Sequence, residues 1–202
     1  MPLELPVWRA LANKTVVLAS ASPRRREILQ AMGLQDFKVV PTLEPDENNP
    51  AAYDTKAAYV SDTAWMKAKE VWDRCQSDAS LPKADVVIGA DTVVVFNDTV
   101  LEKPKDAAHA VTMLRQLSGH THTALTGVHI LAQDIHYQFV TTTKVTFATL
   151  TEDDIQECAY GIQGPAALFV SNIEGDYWNV VGLPQHPLYK QLVELVKEKQ
   201  WS

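Results

Sequence analysis

Cysteine is scarce in this chain of 202 residues: Cys75 and Cys158 are its only two, and neither belongs to a C-x-x-C pair. That excludes a zinc ribbon or a dithiol redox motif and offers no secreted disulfide framework. No stretch approaches the ~20 apolar residues of a membrane span. Met1 to Lys14 carries Glu4 and two prolines in place of a signal-peptide core, so a cytoplasmic location and no membrane partner are expected. Positive charge is also short, 18 Lys+Arg against 25 Asp+Glu for a net charge of −7, which argues against a nucleic-acid partner. There is no Walker A loop, no G-x-S-x-G elbow and no H-E-x-x-H zinc motif.

What is present is globular. The 46% hydrophobic and 21% charged content suits one domain spanning residues 1–202, without internal repeats or low-complexity tails. A short β-branched run predicts a buried strand at Lys14–Ala19 and Phe37–Val40 reads as a second short strand, with a helix over Arg24–Met32 ending at Gly33. A long helix is expected from Thr55 to about Cys75. Val86–Ile88 and Val93–Phe96 read as two strands flanking Gly89-Ala90-Asp91-Thr92. A helix capped by Asp106, strands near Leu125–Leu131 and Tyr137–Phe147, and a helix starting after Thr151 follow. Leu168–Ile173 and Tyr177–Val181 read as strands joined by Glu174-Gly175-Asp176, before a terminal helix over Pro187–Lys199. Alternating elements of this kind predict an α/β domain built on a mixed sheet.

Three places carry chemistry. Ser20-Ala21-Ser22-Pro23-Arg24-Arg25-Arg26 offers an N-cap serine and a proline at the first helical position. Three arginines then crowd a first turn whose dipole favours anions, so either a phosphate chain compensates them or the turn is simply a solvated basic one. Asp91 is a carboxylate between apolar runs, which needs a hydrogen bond, a cation or a metal. Lys103, in Glu102-Lys103-Pro104, returns towards it after a hairpin, as part of a metal-assisted site or a structural ion pair. His120-x-His122 places two imidazoles on one face of a strand, but no third zinc ligand stands at a recognisable spacing.

These blocks, in order, resemble the Maf family of nucleoside triphosphate pyrophosphatases: Leu18-Ala19-Ser20-Ala21-Ser22-Pro23-Arg24-Arg25, Met66-Lys67-Ala68, Gly89-Ala90-Asp91-Thr92, Leu101-Glu102-Lys103-Pro104, Leu117-Ser118-Gly119 with His122, and Tyr160-Gly161-Ile162-Gln163-Gly164 through Val180-Val181-Gly182-Leu183-Pro184. The resemblance implies an elongated, two-lobed, ITPase-like α/β domain with helices on both sides of a mixed sheet. It implies cleavage of the α–β phosphoanhydride of dTTP or UTP, with modified pyrimidine nucleotides as further substrates. By the same resemblance Asp91 is the proton acceptor and, with Glu47, a ligand of Mg²⁺ or Mn²⁺. Ser20, Arg24, Arg25, Lys67, Thr92 and Gln163 line the substrate, Lys103 joins Asp91 in catalysis, and a homodimer is admitted. The amide of Gln163 complements the N3–H and a carbonyl of uracil or thymine. The alternative is a non-catalytic nucleotide-binding regulator on the same fold.

One departure stands out. The family carries a short acidic, lysine-bearing segment just before Tyr160-Gly161, whereas here Asp154-Ile155-Gln156-Glu157-Cys158 runs directly into Ala159. The expectation is chain missing between Cys158 and Ala159, with their Cα atoms much farther apart than the ~3.8 Å of a trans peptide.

Overall fold

The computed structural model describes residues 5–43, 49–101, 104–158 and 165–201. Glu47, Lys103, Gln163 and the Cys158–Ala159 junction therefore lie outside the described residues, and the expectations placed on them are not addressed by the fold.

The chain opens on a short helix that the sequence reading passed over, α1 (Pro6–Leu11), with proline at its first turn. Then come β1 (Val16–Ala19), α2 (Pro23–Ala31) and β2 (Lys38–Val39). The long helix α3 (Lys56–Ser77) starts where Thr55 accepts a hydrogen bond from the Ala58 amide. β3 (Val86–Phe96) turns through Asn97 and Asp98, both at positive φ, into β4 (Thr99–Leu101). α4 (Ala107–Leu117), capped by Asp106, precedes the long hairpin β5 (Thr121–Ala132) and β6 (Ile135–Phe147). α5 (Glu152–Cys158), β7 (Val170–Glu174), α6 (Tyr177–Val181) and α7 (Gln185–Glu198) complete the order.

Three expectations are corrected. Val86–Ile88 and Val93–Phe96 form one eleven-residue strand, because Gly89 through Thr92 pair without a break with His129 through Thr126 of β5. Asp91 is thus mid-strand. Tyr177–Val181 is a helix, although its aromatic and β-branched residues favour strand. Asp176 caps it through the Trp178 amide at 2.8 Å, and Gly182 ends it at φ 128°, so the two boundary residues outweigh the propensity of the interior. The strand expected from Leu168 begins only at Val170, after a 3₁₀ turn over Pro165–Phe169.

The sheet has seven strands in the order β2-β1-β3-β5-β6-β7, with β4 on β3 beyond the end of β1. β1 is parallel to β2 and β3, and the remaining pairs are antiparallel, so the sheet is mixed as expected. Strands of 11 to 13 residues reach about 40 Å, too long for one cluster of side chains per face. Each face has two. Leu18, Ile88, Ala90 and Val128 pack under α1, α2 and α7, while Val145 and Phe147 pack further along the same face with α4 and Phe169. On the other face Val17, Val87 and Ala68 form one cluster, and Val60, Val93 and Leu125 the next. On both faces the clusters part near residues 89–92 of β3. The two lobes therefore meet at the residues that the sequence marks as chemical.

Candidate functional site

The seam between the lobes opens at a sheet edge. β1 pairs with β3 only over Val86–Gly89 and β4 only from Val94 onward. Among the described residues no strand pairs with that edge of β3 from Ala90 to Val93. α2 begins beside this gap, because β1 ends at Ala19 and the chain passes through Ser20 into the capped turn at Ser22 and Pro23. A helix N-terminus facing a gap in a sheet, at the carboxyl end of a parallel strand, is a natural place for an anion.

Strand alternation sends Asp91 and Thr92 to opposite faces. On the α3 face Lys67 Nζ donates to Asp91 Oδ1 at 2.8 Å, with side chains 12% and 13% exposed. Glycines make this meeting possible. Gly89 lies two residues before Asp91 on the same face, and Gly127 stands directly across from it on β5. A Cβ on Gly89 would lie 2.5 Å from the Ala68 Cβ, and one on Gly127 would lie 2.6 Å from the Val60 carbonyl oxygen. With no side chains beneath it, the backbone of α3 settles onto the sheet and carries Lys67 to the carboxylate. Gly89 therefore serves close helix approach and not a turn.

On the other face the three arginines separate. Arg24 and Arg26 are exposed, whereas Arg25 is turned into the fold. Its Nε donates to the Gly182 carbonyl at 2.9 Å, Nη1 to the Ala90 carbonyl at 2.8 Å and to Ser20 Oγ at 3.2 Å, and Nη2 to Thr92 Oγ1 at 3.0 Å. One guanidinium thus ties α2, the free edge of β3 and the end of α6 together. Thr126 Oγ1 donates to the Asn179 carbonyl at 3.1 Å, which uses its one hydrogen. The two hydroxyls meet at 2.9 Å, and Thr92 Oγ1 also lies 3.4 Å from the Gly182 carbonyl, so Thr92 accepts from Arg25 within a network that joins β3, β5 and the end of α6. Fully buried Asn179 extends the chain, its Nδ2 donating at 3.0 Å to both the Ala124 carbonyl and Thr143 Oγ1.

Of the residues singled out from sequence, Ser20, Arg25, Lys67, Asp91 and Thr92 come together around this gap, and Arg24 is exposed on the first turn of α2. Among the described residues Asp91 pairs with Lys67, and the expectation that Lys103 returns near Asp91 falls outside the described residues. His120 and His122 do not converge: His120 is exposed against Phe96 just before β5, and His122 is buried against Phe147. Burial alone lowers the pKa of His122 below the usual imidazole value. Thr126 and Asn179 went unread because they enter through strand register and a short helix, neither of which leaves a local pattern. Their only signal is a polar residue on each of two otherwise apolar runs.

Among the described residues no three His, Cys, Asp or Glu side chains gather as a metal cage. Mg²⁺ does not need one, since it is commonly held by one or two carboxylates together with substrate phosphates. The single carboxylate Asp91 at an anion-facing gap suits a hard cation that arrives with a polyphosphate.

An α/β sheet opened at a strand edge, with a carboxylate–lysine pair on one face and a helix N-terminus on the other, defines a site of phosphate-ester or anhydride type. The chain belongs to the Maf family: the Maf-like protein model matches residues 15–195. It is 41% identical over 199 positions to the dTTP/UTP pyrophosphatase of Geobacillus sp. (strain WCH70), covering 93% of this chain and 100% of that one. It is also 41% identical over 210 positions to the human "Probable bifunctional dTTP/UTP pyrophosphatase/methyltransferase protein", of whose length it spans 33%. Among solved structures, the Staphylococcus aureus Ham1 protein is similar over 67% of this chain at 16% identity and a TM-score of 0.44.

Proposed function

We propose that this protein hydrolyses dTTP and UTP to the monophosphate and pyrophosphate, with modified uridine or thymidine nucleotides as further substrates. The observation that carries the reading is the Lys67–Asp91 pair at the open edge of β3, beside the N-terminus of α2, in a chain of this family. In the proposed reaction Asp91 Oδ2, the oxygen turned away from the 2.8 Å contact with Lys67, orients a water and takes its proton as the oxygen attacks the α-phosphorus. Lys67, Arg24 and the amides at the start of α2 hold the triphosphate and stabilise the charge that moves onto departing pyrophosphate. Arg25 and Ser20 shape that turn. Thr92 meets the substrate beside that turn, and Gln163 reads the base edge.

A divalent cation, Mg²⁺ or Mn²⁺, would be held by Asp91 and Glu47 with phosphate oxygens, and supplies charge neutralisation when bound. Lys103 is proposed as a further phosphate-side cation. Cytoplasmic location and a homodimer belong to the same reading through the family resemblance alone.

The test is a panel of dTTP, UTP, CTP and 7-methyl-GTP with Mg²⁺ and product identification. Monophosphate and pyrophosphate from dTTP and UTP, lost by roughly a hundredfold or more in Asp91→Asn, are expected. Asparagine keeps an acceptor for Lys67, so the variant should melt with the parent. Binding without turnover would instead make the protein a nucleotide-binding regulator, and stepwise release of orthophosphate a phosphatase.

A further inference from the structure

On the α3 face of the sheet a second polar group lies one step beyond Gly127. His129, 2% exposed, points from β5 towards α3, where its Nε2 meets Ser61 Oγ at 3.1 Å. Its Nδ1 meets Nε2 of His136 on β6 at 2.7 Å. Trp65 closes the group from α3, stacked on His136 at 4.6 Å between ring centroids. The proposed reaction uses none of these residues.

Their position on α3 gives them a task. The helix rests on the sheet through Val60, Ala64, Ala68 and Val71. At about 100° per residue, Lys67 projects about 60° to one side of that line and Ser61 about 60° to the other. Beneath the line lie Gly89 and Gly127, which bring the helix close but have no side chains to interlock with it and stop it rolling. The stays on its two flanks are polar: Lys67 to Asp91 on one, Ser61 to His129 and His136 on the other.

We propose that His129 and His136 are positioning residues, which fix the roll of α3 through Ser61 and so hold Lys67 against Asp91; in its catalytic consequence the proposal rests on the pyrophosphatase reading. A nitrogen–nitrogen contact of 2.7 Å holds one hydrogen and one lone pair. With both imidazoles neutral, either ring can donate. One added proton is also accommodated, His136 donating to His129 Nδ1 and His129 Nε2–H donating to Ser61. A second added proton turns two N–H groups on each other and opens the contact. Among the described residues Asp62 on α3 favours a proton on His129 by its charge, and it accepts a hydrogen bond from the Tyr53 hydroxyl. The clamp therefore holds from pH 5 to 8 and releases only in stronger acid, since the fold keeps His129 unprotonated down to about pH 4.

The experiment compares the full-length protein with Ser61→Ala, His136→Ala and His136→Gln. Pyrophosphate release from UTP gives kcat and KM from pH 5 to 8. In parallel, acylation of lysines by an amine-reactive ester at pH 8, mapped by mass spectrometry, reads Lys67 without relying on turnover, with exposed Lys83 as the reference. Losing one hydrogen bond of the clamp should lower kcat about three- to tenfold with KM within about twofold. Lys67 should acylate several-fold faster relative to Lys83 in both alanine variants. His136→Gln, which still offers a hydrogen-bonding group, should restore kcat across pH 5 to 8 and Lys67 protection at pH 8. Parental kcat and parental Lys67 protection in the alanine variants, with at most a lower melting temperature, would overturn the proposal. If the parent releases no pyrophosphate, the activity reading fails, and the acylation pattern still decides whether the clamp positions Lys67.

Discussion

Adjacent arginines in one helical turn do different work. Arg25 gives hydrogen bonds to the Gly182 and Ala90 carbonyls and to the Ser20 and Thr92 hydroxyls, and truncating it removes all four of these ties between α2, β3 and the end of α6. Arg25→Ala should therefore lose on the order of 2–3 kcal/mol of stability together with activity, read by denaturant titration. Exposed Arg24 is the contrasting case: Arg24→Ala should raise KM for UTP roughly tenfold while lowering the denaturation midpoint far less than Arg25→Ala does. Both variants melting alike would contradict this division. The run of arginines was visible in the sequence, but which one turns inward was not, because its acceptors come from β3 and from residue 182. His129 makes a separate residue-scale prediction. Burial, with His136 beside it, pushes its pKa down from the usual imidazole value to about 4. The unfolded chain takes up a proton near pH 6.5 that the folded one refuses until about pH 4. Stability is then full above pH 6.5 and falls across that window as pH drops, by on the order of 2–3 kcal/mol. In His129→Gln, urea titrations should show that acid slope reduced; an unchanged slope would remove His129 as its source.

At the scale of elements, the close seat of α3 on β3 and β5 does most to build the site. Gly127→Ala places a Cβ 2.6 Å from the Val60 carbonyl oxygen, a backbone atom that cannot swing aside. The expected cost is about 1–3 kcal/mol, with a fall in kcat as Lys67 is lifted from Asp91. Chemical denaturation and turnover at saturating UTP check the two parts. A variant that is destabilised but turns over normally would show that the helix can shift without disturbing the pair. Elements announced by caps were legible: Thr55 starts α3, Asp106 starts α4 and Gly33, at φ 102°, follows α2. Tyr177–Val181 misled because its interior favours strand while Asp176 and Gly182, one at each end, enforce a helix. β3 misled in the opposite sense. The glycine that looked like a break is there to admit α3, and pairing with β5 carries the strand straight through it.

Across the whole molecule, two lobes share one sheet, and their apolar clusters part on both faces near residues 89–92 of β3. The mixed α/β character could be read from alternating runs of hydrophobic residues. The seam could not, since it depends on strands long enough to serve two clusters and on β1 stopping four residues into its pairing with β3. The ordered motifs named Lys67 and Asp91, yet the two are 24 positions apart, and nothing local predicts their contact. The central claim is that water held by Asp91 attacks the α-phosphorus of a nucleoside triphosphate. Hydrolysis of UTP in water labelled with heavy oxygen, followed by mass analysis of both products, tests this most directly. Label in the uridine monophosphate and none in the pyrophosphate is the predicted result. Label in the pyrophosphate would mean attack at the β-phosphorus, and release of orthophosphate with uridine diphosphate would mean attack at the end of the chain; either would contradict the account.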